Sequence, residues 1–275
     1  MKPWLILCCL ASTASGVDAA GFDCLLEPTQ TVEIRSSVEG VIGAVHVNRG
    51  ELVRRGQVLL ELQSGVERAA VDSARFRSQM EGQIAAATNR VSYTSKKLER
   101  LANLQEQSFV STQIRDEAAA EKLLAESELQ SATEAREMAR IELRRAQEQL
   151  SLRSIAAPFN GVVVDRLLHP GDLAEAGSGR KPALKVAQID PVRVDVVLPA
   201  SMFGQVRVGA KARVSPAVGA DSFEGVVKIV DRLIDAASGT FVARLEVPNP
   251  QSRAPVGARC SATIEGVIAP ARGKP

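Results

Sequence analysis

Apolar positions along this chain follow two rhythms. From residue 22 to about 64, and again from about 152 to 266, Val, Leu and Ile recur every second position or in short runs broken by Gly, Pro and Asn, as in half-buried β-strands. Between them, residues 65–151 hold almost no Gly or Pro and many Ala, Leu, Glu, Arg and Gln. In the first arm Val66, Ala70, Ser73, Arg77, Met80, Ile84, Ala87, Val91, Thr94, Leu98 and Leu101 alternate steps of four and three. In the second arm Ala118, Lys122, Ala125, Leu129, Ala132, Arg136, Ala139, Leu143, Ala146 and Leu150 do the same. That heptad seam is narrow and rich in Ala, which suits two helices packed closely on each other. The pattern breaks at Gln107-Ser108-Phe109-Val110-Ser111, with Ser111 placed to cap the next helix. The spacing predicts an antiparallel coiled-coil hairpin over 65–151, each arm about 40 residues and roughly 60 Å long at 1.5 Å per residue.

The β-rich text on either side of this hairpin repeats itself. Residues 40–56 and 161–177 carry glycines at identical offsets, Gly40, Gly50 and Gly56 against Gly161, Gly171 and Gly177, each with a turn followed by an acidic residue and Leu. Neither copy could bury its apolar face alone, so the two are expected to pair into one β-sandwich that the hairpin splits. From Pro191 onward, alternating runs at Pro191–Leu198, Lys211–Val214, Phe223–Val230, Thr240–Val247 and Ala258–Ile264 predict a small β-barrel over 190–266. Residues 21–34 add an N-terminal strand to it, and 267–275 read as a flexible tail. The fold class is mainly β with a long α-helical hairpin.

The first twenty residues pass from Met1-Lys2 through an apolar stretch, Trp4–Ala14, to small residues ending Val17-Asp18-Ala19-Ala20. They read as a secretory signal peptide cleaved near Ala19 or Ala20, the competing reading being an uncleaved anchor. Cys8, Cys9 and Cys24 lack the surroundings of a lipidation site. Cleavage leaves Cys24 and Cys260 in a compartment where disulfides persist. A bridge between them requires the first strand to lie beside the last; two buried unpaired thiols are the other reading.

Composition removes several functions. Net charge is +2, with 34 Lys and Arg against 32 Asp and Glu, and aromatics make up 3%, so neither a basic face nor a stacking platform for nucleic acid exists. The two histidines, His46 and His169, have no nucleophile or carboxylate placed beside them by any motif, and the four methionines form no ligand cluster. No catalytic residues, metal site or cofactor are expected, and the chain does not read as an enzyme.

The whole chain beyond the signal resembles the membrane fusion, or periplasmic adaptor, family of tripartite efflux pumps, RND and HlyD-like. Three features carry the resemblance. One is the split repeat, similar to two halves of a biotinyl/lipoyl-like domain, here 35–64 and 152–189. The second is the series Phe223-Glu224-Gly225-Val226-Val227, Ile229, Asp235-Ala236-Ala237-Ser238-Gly239-Thr240-Phe241, Asn249-Pro250 and Pro255-Val256-Gly257, similar to the family's barrel signature. The third is Arg100, Leu104 and Ser111 at the hairpin tip, with the spacing that family members docking on TolC-type channels share. A purely structural reading stands beside it: Leu104 closing the seam, Ser111 as a cap, Arg100 as a solvated side chain.

The resemblance implies a periplasmic, envelope-associated subunit that links an inner-membrane transporter to a TolC-type outer-membrane channel for efflux of small molecules, several copies forming a funnel. Larger members carry a further membrane-proximal module for which this chain has little room. An adaptor of a type I protein secretion or ATP-driven export system is the alternative. A lipoyl or biotin carrier fits worse, because the hairpin occupies the junction where the carrier lysine belongs and Lys185 lies in a strand-like run.

Overall fold

A computed structural model describes residues 21–177, 180–219 and 221–267. In chain order it contains β1 (Phe22–Ile34), β2 (Gly40–Val45), β3 (Leu52–Val53) and β4 (Val58–Leu62), then three helices, α1 (Gly65–Ser78), α2 (Gly82–Glu106) and α3 (Thr112–Ser151). The second β region holds β5 (Ser154–Ala156), β6 (Gly161–Arg166), β7 (Leu173–Ala174), β8 (Leu184–Pro199), β9 (Lys211–Pro216), β10 (Phe223–Val230), β11 (Thr240–Val247) and β12 (Arg259–Ile264). The signal segment, 1–20, lies outside the described residues, as does the tail from 268; Val267, read as the tail's first residue, is buried in the barrel core.

The two glycine-marked copies complete each other by exchanging strand partners. Leu52 pairs with Val162 and Val53 with Gly161, while Val41 pairs with Leu173 and Gly40 with Ala174. Their turns are built alike: the Gly50 N–H donates to Val163 O at 2.8 Å and the Gly171 N–H to Ile42 O at 2.9 Å. The acidic residue of each turn accepts a backbone N–H three residues back, Glu51 from Asn48 at 2.9 Å and Asp172 from His169 at 2.8 Å. Gly50 and Gly171 sit at φ 85° and 95°, the left-handed region that glycine enters without a Cβ clash. Ile42, Val47, Leu59 and Leu60 from the first copy meet Val163, Leu184 and Val186 in one core.

The barrel closes in the order β1-β12-β9-β10-β11-β8 and back to β1. Its core holds Leu26, Val192, Val194, Val196, Leu198, Phe241, Leu245 and Ile264. Two of its strands do not stop there. β8 runs unbroken through Asp190, where the sequence pattern separates sandwich from barrel, pairing β6 with its first half and β11 with its second. β1, expected only in the barrel, also continues: Gln30–Ile34 pair with Gln188–Leu184, and Ile34 is buried in the sandwich core. Asn249, 3% exposed, fastens the barrel to this crossing. Its backbone N–H donates to Asp190 Oδ1 at 2.8 Å, its amide to Ile189 O at 2.9 Å, and its Oδ1 accepts the Ala254 N–H at 3.0 Å.

The hairpin departs from its expected form in the first arm. α3 is continuous, but the facing arm is α1 and α2 separated by the non-helical Gln79–Glu81. In α2 and α3 burial follows the spacing, with Ala87, Thr94, Ala118 and Ala125 buried. In α1 the buried residues are Val71, Ala74 and Ser78, each one position after Ala70, Ser73 and Arg77, and Val66 is 81% exposed. The break resets the helical phase, so a rhythm read backward from α2 misplaces the α1 face by one residue. Gly82, a weak helix former, opens α2 at this point. Ion pairs cross between the arms at Arg77–Glu142 (3.0 Å), Arg136–Glu81 (3.9 Å) and Arg90–Glu121 (3.6 Å). Among the described residues no helix is long and apolar enough to cross a membrane.

Candidate functional site at the hairpin tip

The turn between α2 and α3 is a Schellman closure. The Ser108 N–H donates to Gln105 O at 2.8 Å and the Phe109 N–H to Leu104 O at 2.9 Å, with Ser108 at φ 63°. This geometry fixes the Leu104 carbonyl in the turn and leaves its side chain 40% exposed. Leu104 lies beside the seam, not in it: Leu98, Leu101 and Gln105 hold the partly buried positions. Ser111 occupies the N-cap position of α3 with extended backbone, yet its side chain makes no capping hydrogen bond. Arg100 is exposed; its Nε donates to Lys96 O at 3.3 Å, and it has no ion pair among the described residues. The structure thus places Arg100 and Leu104 on the last two turns of α2 and Ser111 at the cap of α3.

Sequence reasoning passed over two neighbours. Phe109, 74% exposed, stands at the turn itself, and Ile114, 43% exposed, in the first turn of α3. The signal was an aromatic residue between two serines in a chain with few aromatics, read only as an interruption of the heptads. Below the tip, Lys97 Nζ donates to Glu121 at 2.6 Å, a hydrogen bond that raises the lysine above its ordinary value and lowers the glutamate below its own. A tip that exposes Arg100, Leu104 and Phe109 on a salt-bridged stalk can bind by shape, charge and hydrogen bonding.

Elsewhere, Cys24 and Cys260 are register partners across β1 and β12, their Cα atoms 4.8 Å apart and their sulfurs joined in a disulfide. The first strand does lie beside the last. His46 Nε2 is 3.4 Å from Glu61 and His169 Nδ1 is 3.7 Å from Asp172, both exposed on the sandwich. Among the described residues no group of three His, Cys, Asp or Glu side chains could hold a metal ion. Lys185 lies within β8, opposite Glu33 on one side and Asp165 on the other, away from any hairpin turn.

Comparison with known proteins agrees with this architecture. Residues 30–179 match the family model of the CzcB-like barrel-sandwich hybrid domain, and 191–266 that of the CusB-like β-barrel domain. The cobalt-zinc-cadmium resistance protein CzcB of Cupriavidus metallidurans is 24% identical over 88% of this chain, and the multidrug resistance protein MdtA of Proteus mirabilis 27% identical over 82%. The matched regions span 43% and 54% of those proteins, so the chain covers about half the length of these relatives. The crystal structure of MacA from Actinobacillus actinomycetemcomitans superposes with a TM-score of 0.70 at 20% identity, covering 89% of this chain and 77% of that one, a likeness of fold. With both family models seated on the sandwich and the barrel, the chain belongs to the membrane fusion, or periplasmic adaptor, proteins of RND efflux pumps.

Proposed function

We infer that this chain is the periplasmic adaptor of a tripartite pump, linking an inner-membrane transporter to a TolC-type outer-membrane channel. The observation that carries the reading is the tip. Arg100, Leu104 and Phe109 stand exposed where α2 turns into the 40-residue α3, and Arg100 has no ion pair among the described residues. At 1.5 Å per residue that helix reaches roughly 60 Å, a span suited to crossing a compartment. Leu104 and Phe109 fill an apolar groove between channel helices, while Arg100 donates to carboxylates or carbonyls beside it. Ser111 starts α3 without spending its hydroxyl on a cap, leaving that group for the partner.

The opposite extreme of the molecule supports the other half of the bridge. The barrel end away from the Asp190 crossing, where Pro199 pairs with Thr240, exposes Leu233 (84%) and Phe203 (45%), apolar side chains suited to the transporter. Between the ends, the exchanged repeats form a lipoyl-like sandwich without a carrier lysine, and α2 and α3 pack as a short antiparallel coiled coil. A secretory signal and a disulfide suit the periplasm. Several copies stand side by side as a funnel, since a single hairpin cannot enclose a conduit. The relatives include a cobalt-zinc-cadmium resistance protein and a multidrug resistance protein, so cargo does not follow the shared fold.

Complementation tests the reading. A host strain lacking the chain accumulates the pump's cargo; wild type restores efflux, and Leu104→Asp/Phe109→Asp does not, although the purified variant melts like wild type. Interface anchors of this kind are each worth about 2 kcal/mol or more, enough to weaken docking by about thirtyfold. Full complementation by the double variant would remove the tip from the interface.

A further inference from the structure

The hairpin joins the sandwich through two short links, Gln63–Ser64 leading into α1 and Leu152–Arg153 leading out of α3. Two covalent strands alone would let it rock. One side chain sits among both links and the sandwich. The Arg153 guanidinium reaches Glu67 Oε1, in the first turn of α1, at 2.6 Å, and its Nη1 donates to Glu39 O, on the sandwich, at 2.8 Å. Its own backbone is held as well: the N–H donates to Leu150 O at 3.0 Å and the carbonyl accepts the Leu62 N–H at 2.8 Å. The Arg153 and Glu67 side chains are 24% and 20% exposed, among the most shielded of the ion pairs and so among the least screened.

We propose that Arg153 is the positioning residue that sets the direction in which the hairpin leaves the sandwich. The planar fork of a guanidinium suits the task, because it can hold α1 with one nitrogen and the β2 entry with another, while its own chain is the exit from α3. Gly40 makes the seat. A Cβ there would lie 2.6 Å from Arg153 Nη1, and because that nitrogen is already committed to Glu39 it cannot yield without giving up the bond. The equivalent glycine of the second copy, Gly161, is packed against the Ala187 carbonyl instead, so the repeat departs from its symmetry where the hairpin is rooted. A second, weaker contact on the same side, Arg68 to Glu61 at 3.8 Å, supports α1 against β4.

The geometric claim stands apart from the adaptor reading and rests on it only for what the aim serves. Spin labels at Arg54→Cys on the sandwich and Ser92→Cys on α2, both exposed, read the hairpin direction in the purified mature protein without partners, Cys24 and Cys260 being closed to thiol reagents by their disulfide. The wild type should give one narrow distance distribution. Arg153→Ala and Gly40→Ala should raise the population of other orientations about tenfold, the consequence of losing a charge-assisted hydrogen bond in a shielded place. Glu67→Gln lies on the helix surface, leaves the sandwich core untouched, and should broaden the distribution in the same way. Arg153→Lys, with one ammonium for two acceptors, should restore it in part. A distribution as narrow as wild type in Glu67→Gln and Arg153→Ala would overturn the proposal, whatever the efflux phenotype of the same variants.

Discussion

At position 161 a methyl group would overlap the carbonyl oxygen of Ala187, whereas at position 50 it would meet open space on a backbone at φ 85°. The two glycines hold different places in the repeat and are needed for different reasons, one for close packing and one for conformation. Gly161→Ala should cost about 1–3 kcal/mol through overpacking, and Gly50→Ala about 1 kcal/mol or somewhat more through a left-handed φ. Urea midpoints of the two variants check the order. Ser108 presents the opposite case: a non-glycine residue in the left-handed position of the tip closure, at φ 63°. Ser108→Gly should stabilise the hairpin by about 1 kcal/mol, read as a higher melting temperature by circular dichroism. A lower melting temperature would mean that the serine side chain holds the turn.

At the scale of elements, the hairpin shows what a rhythm can and cannot convey. The seams of α2 and α3 were legible because uninterrupted helices keep phase over many turns, so Ala87, Thr94, Ala118 and Ala125 fall inside as their spacing requires. The α1 seam was not, because three non-helical residues at 79–81 shift the phase, and Met80 among them keeps the apparent rhythm going through the break. The continuity of β8 was equally hidden: Asp190-Pro191 reads as punctuation, yet the strand passes through it. Leu104 and Phe109 differ in the same way, one found through a spaced motif, the other missed because a lone aromatic in a turn has no period.

The Lys97–Glu121 pair gives the hairpin a small pH response with a definite sign. Glu121 is held below its ordinary value of 4.5, chiefly by the Lys97 hydrogen bond, so its contribution is present above 4.5 and is lost as pH falls through the lowered value. Lys97 is held above 10.5 by the same bond, so its contribution is present below 10.5 and is lost as pH rises through the raised value. Both groups are open to solvent, and the effect should fade at about 1 M salt. Glu121→Gln should flatten the acid-side loss of helicity at low salt and match wild type at high salt. A difference indifferent to salt would contradict this assignment.

At the scale of the molecule, β1 and β8 run from sandwich into barrel, so that β6 and β3 share the barrel's sheet while β5-β4-β2-β7 form a second, and the Cys24–Cys260 link, spanning 236 residues of chain, ties the first described strand to the last. On the chain-entropy view such a loop closure is worth about 5–6 kcal/mol. Reductant should lower the denaturation midpoint of the wild type, and Cys24→Ser/Cys260→Ser should start low and ignore reductant; a wild type indifferent to reductant would show that the link adds nothing to stability. The bridge itself is tested most directly by photo-crosslinking in the native host from position 104 at the tip and, in separate cells, from position 233 at the barrel end, with a control at Ala139 inside the seam. The expected result is an outer-membrane channel captured from 104, an inner-membrane transporter captured from 233, and neither from 139. Capture of one and the same partner from both ends, or of none from 104, would contradict the account.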